Sequence, residues 1–336
     1  MTLDRRNLGK SGIEITRTGF GAWAVGGEVG AFTWGPQDDS DSIAAITHAV
    51  SRGVSWIDTA AVYGAGHSEE VVGRALRAIP ASDRPRVFTK GGVVWDPANP
   101  MISGGRRSSP ESLRREIEAS LRRLKVDAVD LYQVHWPDEA GVPVEDTWGE
   151  MTRFLEEGKT RAIGVSNYGV ELLERCERIH HVDSLQPPFS MIVRDSGADV
   201  IPWCHAHGTG VIVYSPMGSG ILTGQFSRAR VEAMTARDWR RGNPRFQEPN
   251  LTANIALRDA LQPIAKRRST TVEAVAVAWT LSWPGVTGAI VGARSSAQVD
   301  GWLPAANLHL GPEDLDEISA AIEATGAGSG PVRPKE

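Results

Sequence analysis

The chain has 336 residues, of which 41% are hydrophobic and 23% are charged, a composition typical of a globular protein with a full apolar core. Its net charge of -5 and its pI near 6.0 provide no overall attraction to nucleic acid or to an anionic membrane, so neither is expected as a partner. The sequence lacks an apolar run of membrane-spanning length and the apolar core of a signal peptide, so we expect a cytoplasmic protein.

Short β-type runs alternate with amphipathic helical runs along the chain, and before them the opening LGKSGIEIT has the glycine-containing turn of a small hairpin. Eight strands are predicted, at 15–23, 54–60, 86–92, 128–136, 161–167, 183–190, 210–216 and 287–293. Helices are predicted between and after them, at 39–53, 68–79, 110–125, 144–158, 169–179, 198–207, 257–283 and near 312–323.

This strict alternation predicts an α/β fold, a closed (β/α)8 or TIM barrel with the N-terminal β-hairpin as a plug on its floor. We expect a single domain over residues 1–323. The segment 324–336 is rich in Gly, Pro and Ser without apolar spacing, so it is predicted to be a flexible tail.

Two long connections are expected at the C-terminal face of the barrel. Residues 217–255 retain Trp239, Phe246 and several arginines, and long loops in compact domains tend to be functional, so we predict a cover over the strand ends. The segment VVWDPANPMISGGRRSSP after the third strand is the second candidate.

The two cysteines, Cys176 and Cys204, form neither a disulfide framework nor a CxxC motif. In the tetrapeptide CHAH, Cys204 and His207 would share a helix face while His205 points elsewhere. Two candidate ligands do not make a metal site, so no metal is expected.

Polar, titratable side chains lie at or just beyond the carboxyl ends of three predicted strands, the edge at which such barrels build their sites. Asp58 lies near the end of the second strand with Tyr63 just beyond it, Lys90 lies near the end of the third, and His135 near the end of the fourth. Each alone has an ordinary structural explanation, such as a turn cap for Asp58. Their convergence on one edge favours a common chemical role.

Together these four residues suit proton delivery to a carbonyl oxygen. The ammonium group of Lys90 would lower the pKa of Tyr63, the proton donor, and Asp58 would keep Lys90 in place and protonated. His135 could orient the substrate oxygen. Because no serine or cysteine lies in a nucleophile motif such as GxSxG, a hydride from a bound cofactor is expected to attack the carbonyl carbon.

Five ordered motifs, DTAAVYG, TKGG, LYQVHWPD, IGVSN and VYSPMGSG, resemble those of the aldo-keto reductase superfamily, over about residues 3 to 323. SEEVVGRAL and GPQDD resemble the bacterial branch that includes general stress and inositol-cluster proteins. The resemblance implies NADPH bound in an extended form across the barrel mouth, which fits the absence of a strand-bounded GxGxxG motif.

The resemblance also implies roles for individual residues. The catalytic tetrad would be Asp58, Tyr63, Lys90 and His135. The nicotinamide would be held by Ser166, Asn167 and Gln186 at its carboxamide and by Tyr214 stacked on its ring. The pyrophosphate would contact Ser215, Met217 and Ser219, and the adenosine 2'-phosphate would lie near Gly292, Arg294 and Gln298.

One position departs from the family pattern. Where the family commonly has a Glu-Asn pair at adenine, this chain has Gly301 and Trp302, so the cofactor preference stays open at this stage. On the substrate side the candidate lining residues are tryptophans, which would otherwise be ordinary packing residues: Trp23, Trp34, Trp95 and Trp136. Apolar walls around one polar corner suit an aldehyde or ketone with an aromatic or aliphatic body.

The leading hypothesis is an NADPH-dependent oxidoreductase that reduces a small-molecule aldehyde or ketone to an alcohol. One alternative is a cofactor-binding redox sensor or regulatory subunit, because a related branch resembles potassium-channel β subunits. The other is a polyol or sugar dehydrogenase working in the oxidative direction. A panel of carbonyl substrates tested with NADPH and NADH separates these hypotheses, since a sensor would bind cofactor tightly without turnover.

Overall fold

The computed structural model describes residues 2–29, 33–96, 98–235 and 238–334. Over these ranges the strands are β1 (Arg5–Asn7), β2 (Glu14–Thr16), β3 (Thr18–Gly21), β4 (Trp56–Asp58), β5 (Arg86–Gly91), β6 (Val93–Asp96), β7 (Asn99–Arg106), β8 (Leu131–Val134), β9 (Ile163–Ser166), β10 (Ser184–Gln186), β11 (Gly210–Tyr214) and β12 (Val286–Gly292). The α-helices are α1 (Asp39–Ser51), α2 (His67–Ala78), α3 (Pro110–Leu124), α4 (Val144–Glu156), α5 (Val170–Glu177), α6 (Val200–His207), α7 (Arg228–Glu232), α8 (Asn250–Ala260), α9 (Gln262–Arg267), α10 (Val272–Leu281), α11 (Ser296–Trp302) and α12 (Pro312–Thr325).

Eight of the described strands close a parallel barrel in the order β3-β4-β5-β8-β9-β10-β11-β12, with β12 pairing back to β3. Parallel neighbours require a long crossover between them, and the helices supply it. The predicted (β/α)8 barrel is therefore confirmed. In the part of the chain that is described, no helix has both the length and the apolar character needed to cross a membrane.

The amino-terminal hairpin closes the floor of the barrel. β1 and β2 pair antiparallel, and the buried side chains Leu8 and Ile15 join the apolar cluster that fills the barrel interior. Trp56, Phe88 and Leu131 project into that cluster from the barrel strands. Since apolar packing fills this end of the barrel interior, we expect a ligand to bind at the carboxyl ends of the strands.

The barrel strands differ in their bounds from the predicted runs, and two of the differences have a clear physical reason. The run 15–23 is divided, because Glu14–Thr16 belongs to the hairpin and only Thr18–Gly21 enters the barrel wall. The run 183–190 stops at Gln186, because the prolines at 187 and 188 have no backbone N–H to donate to a neighbouring strand.

The predicted helix 257–283 is interrupted. α9 ends at Arg267, Ser269 adopts a left-handed φ of 49°, and α10 begins after Thr271, whose side chain accepts from the backbone N–H of Ala274. The polar run KRRSTT, residues 266–271, marks the break in the sequence, and the prediction of one helix missed this signal.

The two long connections also contain regular structure. The segment after β5 forms an antiparallel hairpin of β6 and β7, and the segment after β11 contains α7 and three 3-10 turns, Gly218–Gly220, Trp239–Gly242 and Pro244–Phe246. Beyond α12, where a flexible tail was expected, Ala327 is buried and Ser329 accepts a hydrogen bond at its carbonyl from the backbone N–H of Arg194 (2.9 Å).

The barrel interior leaves no room for a side chain at Gly19. A Cβ there would lie 2.1 Å from Cε2 of Trp56, whose ring is fixed by a hydrogen bond from Nε1 to the carbonyl of Thr16 (2.8 Å). We expect Gly19→Ala to lower the free energy of unfolding by about 1–3 kcal/mol through overpacking. Urea denaturation followed by circular dichroism measures this loss.

A matched control is Gly149→Ala. Gly149 lies inside α4 with nothing within 4 Å of its missing Cβ, so the alanine should stabilise the protein by about 0.5–1 kcal/mol through its better helix propensity. Equal effects of the two substitutions would contradict the close packing at Gly19.

Candidate active site

The centre of the site is an ion pair between neighbouring strands. β4 ends at Asp58 and β5 carries Lys90, and both side chains are buried. Lys90 Nζ donates to Asp58 Oδ1 (2.5 Å) and to the carbonyl of Thr59 (2.9 Å). It also lies 3.4 Å from the hydroxyl oxygen of Tyr63. Three of the four predicted catalytic residues therefore form one chain of contacts.

A tight turn positions Tyr63 beside the ion pair. The residue begins a 3-10 turn over Tyr63–Gly66, in which Gly64 has a left-handed φ of 62°. A Cβ at Gly64 would lie 2.2 Å from the carbonyl oxygen of Gly26, so this close approach requires glycine. The phenol of Tyr63 meets His135 edge to face, with ring centroids 5.7 Å apart. The structure thus brings all four predicted residues together.

Burial disfavours the charged forms of the four predicted catalytic residues. It raises the pKa of Asp58 and lowers the pKa of Lys90, and their mutual attraction partly offsets both shifts. Burial also raises the pKa of the Tyr63 phenol well above its ordinary value, and the Asp58 carboxylate adds to that effect. The net pKa of Tyr63 is thus raised, not lowered as the charge of Lys90 alone would make it, because desolvation of the phenolate is the largest effect.

The imidazole of His135 is held neutral. Burial lowers its pKa well below the ordinary value, and the positive charges of Lys90 and Arg106 lower it further. A neutral imidazole can donate a hydrogen bond from one ring nitrogen without carrying charge.

Two glutamines complete the surroundings of Asp58. Gln186 Nε2 donates to Asp58 Oδ2 (3.0 Å), and Gln133 Nε2 lies 3.5 Å from the same oxygen. Gln186 was expected at the nicotinamide carboxamide, and the structure places its Nε2 on Asp58 instead, leaving Oε1 for an acceptor role there. Gln133 was missed, although a glutamine inside the buried strand LYQV, two residues before His135, was a usable signal.

The group opens onto a cavity of about 680 Å³ that extends across the barrel mouth. Lys90 lies behind the cavity wall, and the other predicted site residues line it: Asp58, Tyr63, His135, Ser166, Asn167, Gln186, Tyr214, Ser215, Met217, Ser219, Gly292, Arg294, Gln298, Trp23, Trp34, Trp95 and Trp136. Residues separated by more than 250 positions in the sequence therefore share one cavity.

Aromatic rings cover one end of this cavity. Trp23 stacks on Tyr63 with ring centroids 6.0 Å apart, and Trp239 of the long segment after β11 stacks on Trp23 at 5.6 Å. Trp34 meets both tryptophans edge to face. The long segment, through Trp239, lies against the aromatic wall as the predicted cover would.

Three residues of the cavity wall have unusual backbone conformations. Asn167, Ser215 and Ser219 have left-handed φ values of 63°, 56° and 56°, which are uncommon for residues other than glycine and tend to occur at functional sites. The hydroxyl of Tyr214 donates to Asn167 Oδ1 (2.9 Å), and Ser166 Oγ donates to the carbonyl of Gln186 (2.8 Å). These residues form a pre-organised polar wall.

Positive charge collects near the end of β12. Arg294 Nε donates to Gln37 Oε1 (2.6 Å), and burial lowers the pKa of the Arg294 guanidinium, followed by the charges of Arg240 and Arg230. Arg230 and Arg240 line the cavity with Arg294, while Arg240 is paired with Asp238. This end of the cavity is suited to an anionic ligand.

The chain was compared with known proteins. A model described as the aldo/keto reductase family matches residues 17–323. The chain belongs to this family. It is 33% identical to the aldo-keto reductase YhdN of Bacillus subtilis over 99% of this chain and 97% of that protein. It is 32% identical to the NADH-specific methylglyoxal reductase of Escherichia coli, over 94% of this chain and 98% of the relative.

A solved aldo-keto reductase structure is also similar. The glycerol dehydrogenase AKR11B4 of Gluconobacter oxydans superposes with a TM-score of 0.86 at 32% identity, over 100% of this chain and 98% of that one. As an aldo-keto reductase, the chain belongs to a family of oxidoreductases that use nicotinamide cofactors and act on small carbonyl compounds.

The CHAH segment of this aldo-keto reductase has a structural role. Cys204 is fully buried in α6, and His207 Nδ1 donates to the carbonyl of Trp203 (2.7 Å) while its ring stacks on the indole. Within the described ranges no group of three or more His, Cys, Asp or Glu side chains is placed to hold a metal ion.

The ion pair yields a stability prediction. Lys90→Met leaves Asp58 buried without its partner, and breaking such a pair costs about 3–5 kcal/mol at neutral pH. The Asp58 carboxyl then has a folded-state pKa raised above its unfolded value. The stability that the protonated Asp58 carboxyl contributes is fully present below the unfolded pKa and is lost as the pH rises through the folded-state pKa. The deficit relative to wild type should therefore be larger at pH 8 than at pH 5, measured by urea denaturation.

The double variant Asp58→Asn, Lys90→Met serves as the control, because it removes both charges. It should recover much of the lost stability and show a weaker pH dependence than Lys90→Met. A double variant as unstable as Lys90→Met would contradict the assignment of the deficit to an unpaired buried carboxylate.

Proposed function

We propose that this protein reduces an aldehyde or ketone to an alcohol with NADPH, and that Tyr63 is the general acid. The observation that supports this best is the buried chain from Asp58 through Lys90 to Tyr63, which ends beside His135 at the wall of a largely apolar cavity. A site of this kind delivers a proton at one point and excludes water around it.

Each residue of the group has a distinct task in this proposal. Tyr63, with its raised pKa, stays protonated at neutral pH and donates its proton to the substrate oxygen. Lys90, 3.4 Å away, stabilises the negative charge left on the phenol oxygen, and Asp58 fixes the position of Lys90. His135 donates a hydrogen bond to the same substrate oxygen as a neutral imidazole.

The cavity has the features needed for a nicotinamide dinucleotide. Asn167 and Gln186 provide polar amide groups beside Tyr214, and Arg230, Arg240 and Arg294 line the same cavity and would bind phosphates. When bound, the dinucleotide supplies the hydride. The clustered arginines favour NADPH, although one relative at 32% identity is NADH-specific by name.

A second candidate is the oxidation of a polyol, which the similarity to the Gluconobacter oxydans glycerol dehydrogenase favours. In that direction Tyr63 would have to act as a base. Its raised pKa disfavours the phenolate, so oxidation should need a higher pH than reduction. Rates at 340 nm for carbonyl and polyol substrates, each with both cofactors across a pH range, decide between the directions.

The role of Tyr63 is tested by Tyr63→Phe, which removes only the phenol oxygen. We expect kcat/KM for carbonyl reduction to fall by about 10²–10⁴-fold, the usual contribution of general acid catalysis, while cofactor affinity is retained. Steady-state kinetics together with fluorescence titration of the cofactor measure both quantities. Near-normal turnover would exclude Tyr63 as the acid.

The cofactor preference is tested at Arg294. Arg294→Ala should weaken NADPH binding by about 1.5–3 kcal/mol through loss of a charge-assisted contact to the 2'-phosphate, and should leave NADH binding nearly unchanged. The ratio of the two dissociation constants is the readout, because a general disturbance of the loop affects both cofactors. Arg122→Ala, on the exposed face of α3, is the control. Equal losses for NADPH and NADH would place the phosphate elsewhere.

A further inference from the structure

Glu273 is a charged residue of the cavity wall that the proposed mechanism does not use. It is the second residue of α10, and helices of this barrel run antiparallel to the strands, so the first turn of α10 lies at the barrel mouth. Its side chain is half-buried and lines the cavity. Glu273 Oε2 accepts a hydrogen bond from the backbone N–H of Gly224 (3.2 Å), which leaves acceptor capacity on the carboxylate.

The Glu273 carboxylate lies in the space that the glycine at residue 301 leaves open. A Cβ at Gly301 would lie 2.9 Å from Glu273 Oε1, closer than van der Waals contact allows. Thr271 Oγ1 also donates to the carbonyl of Gly301 (2.6 Å), which ties the start of α10 to α11. The sequence departure at Gly301 therefore coincides with a carboxylate that another helix supplies at the same place.

Trp302 forms the neighbouring part of the wall. It is 1% exposed, lines the same cavity, and its Nε1–H has no acceptor among the described residues. An apolar indole next to a carboxylate acceptor suits a flat heterocycle that carries a hydrogen-bond donor.

Gly301, beside which Glu273 lies, and Trp302 belong to α11 and come later in the chain than Arg294. Arg294 precedes the helix and its backbone N–H donates to Gln298 Oε1 (2.8 Å), and Gly301 follows one turn later. The wall thus changes from the guanidinium of Arg294, which suits phosphate, to a carboxylate, which accepts hydrogen bonds.

We infer that Glu273 accepts a hydrogen bond from the exocyclic amine of the adenine ring of the bound dinucleotide and selects adenine over other purines. Adenine carries an amine donor at this position, whereas hypoxanthine carries a carbonyl oxygen, which a carboxylate repels. The inference rests on the proposed function to the extent that both require a nicotinamide dinucleotide.

The test is fluorescence titration with NADPH and with reduced nicotinamide hypoxanthine dinucleotide phosphate, which differ only in the base. Wild-type protein should bind the hypoxanthine form about 10- to 100-fold more weakly, the range for loss of a hydrogen bond to a charged group. In Glu273→Gln the two affinities should differ by no more than about 2-fold, because the amide can accept from an amine or donate to a carbonyl. Glu171→Gln, on the exposed side of α5, should retain the wild-type ratio.

Other results would overturn the inference. Equal affinities of wild type for the two bases would show that no residue reads the amine. A wild-type ratio in Glu273→Gln, with a changed preference between NADPH and NADH, would place the carboxylate at the ribose. In both cases cofactor binding, and with it the proposed function, would remain intact. Failure to bind any nicotinamide dinucleotide would contradict the proposed function as well.

Discussion

The buried ion pair between Lys90 and Asp58 is the constraint on which the site depends. Two charges removed from water are tolerated only when further hydrogen bonds satisfy them, and here the carbonyl of Thr59 and the amide of Gln186 do so. The ion pair and these two partners come from β4 and the residue after it, from β5 and from the end of β10. The pair therefore requires the closed barrel. Tyr63 in turn takes its position and its electrostatic surroundings from the pair.

The barrel divides its two ends between stability and chemistry. At the floor, the hairpin side chains Leu8 and Ile15 join the apolar cluster around Trp56, which leaves no space for a ligand. At the mouth, the long segment after β11 brings Trp239 onto Trp23, and its Arg230 and Arg240 line the same cavity. One connection therefore contributes both an apolar cover and positive charge, which suits a ligand with an uncharged reacting end and an anionic remainder.

The sequence predicted the architecture because the barrel is encoded by a repeated local pattern. Alternating apolar strands and amphipathic helices set the number and order of the units. The predicted tetrad could be recognised because three of its members, Asp58, Lys90 and His135, each lie at a strand end. Boundaries were less accurate where local pattern and backbone chemistry disagreed. The predicted helix 257–283 is interrupted at the left-handed Ser269, which lies in the polar run KRRSTT of residues 266–271.

The sequence by itself determined the fold and the family and predicted the catalytic group, since these depend on residue types at fixed positions within each βα unit. Only the tertiary structure decided how distant residues meet, because such contacts depend on packing between units. It turned Gln186 toward Asp58, brought Trp239 over Trp23, and placed Glu273 where Gly301 leaves space. It also reversed the expected pKa shift of Tyr63, because burial in the closed barrel is a property of the whole fold and outweighs the charge of one neighbouring lysine.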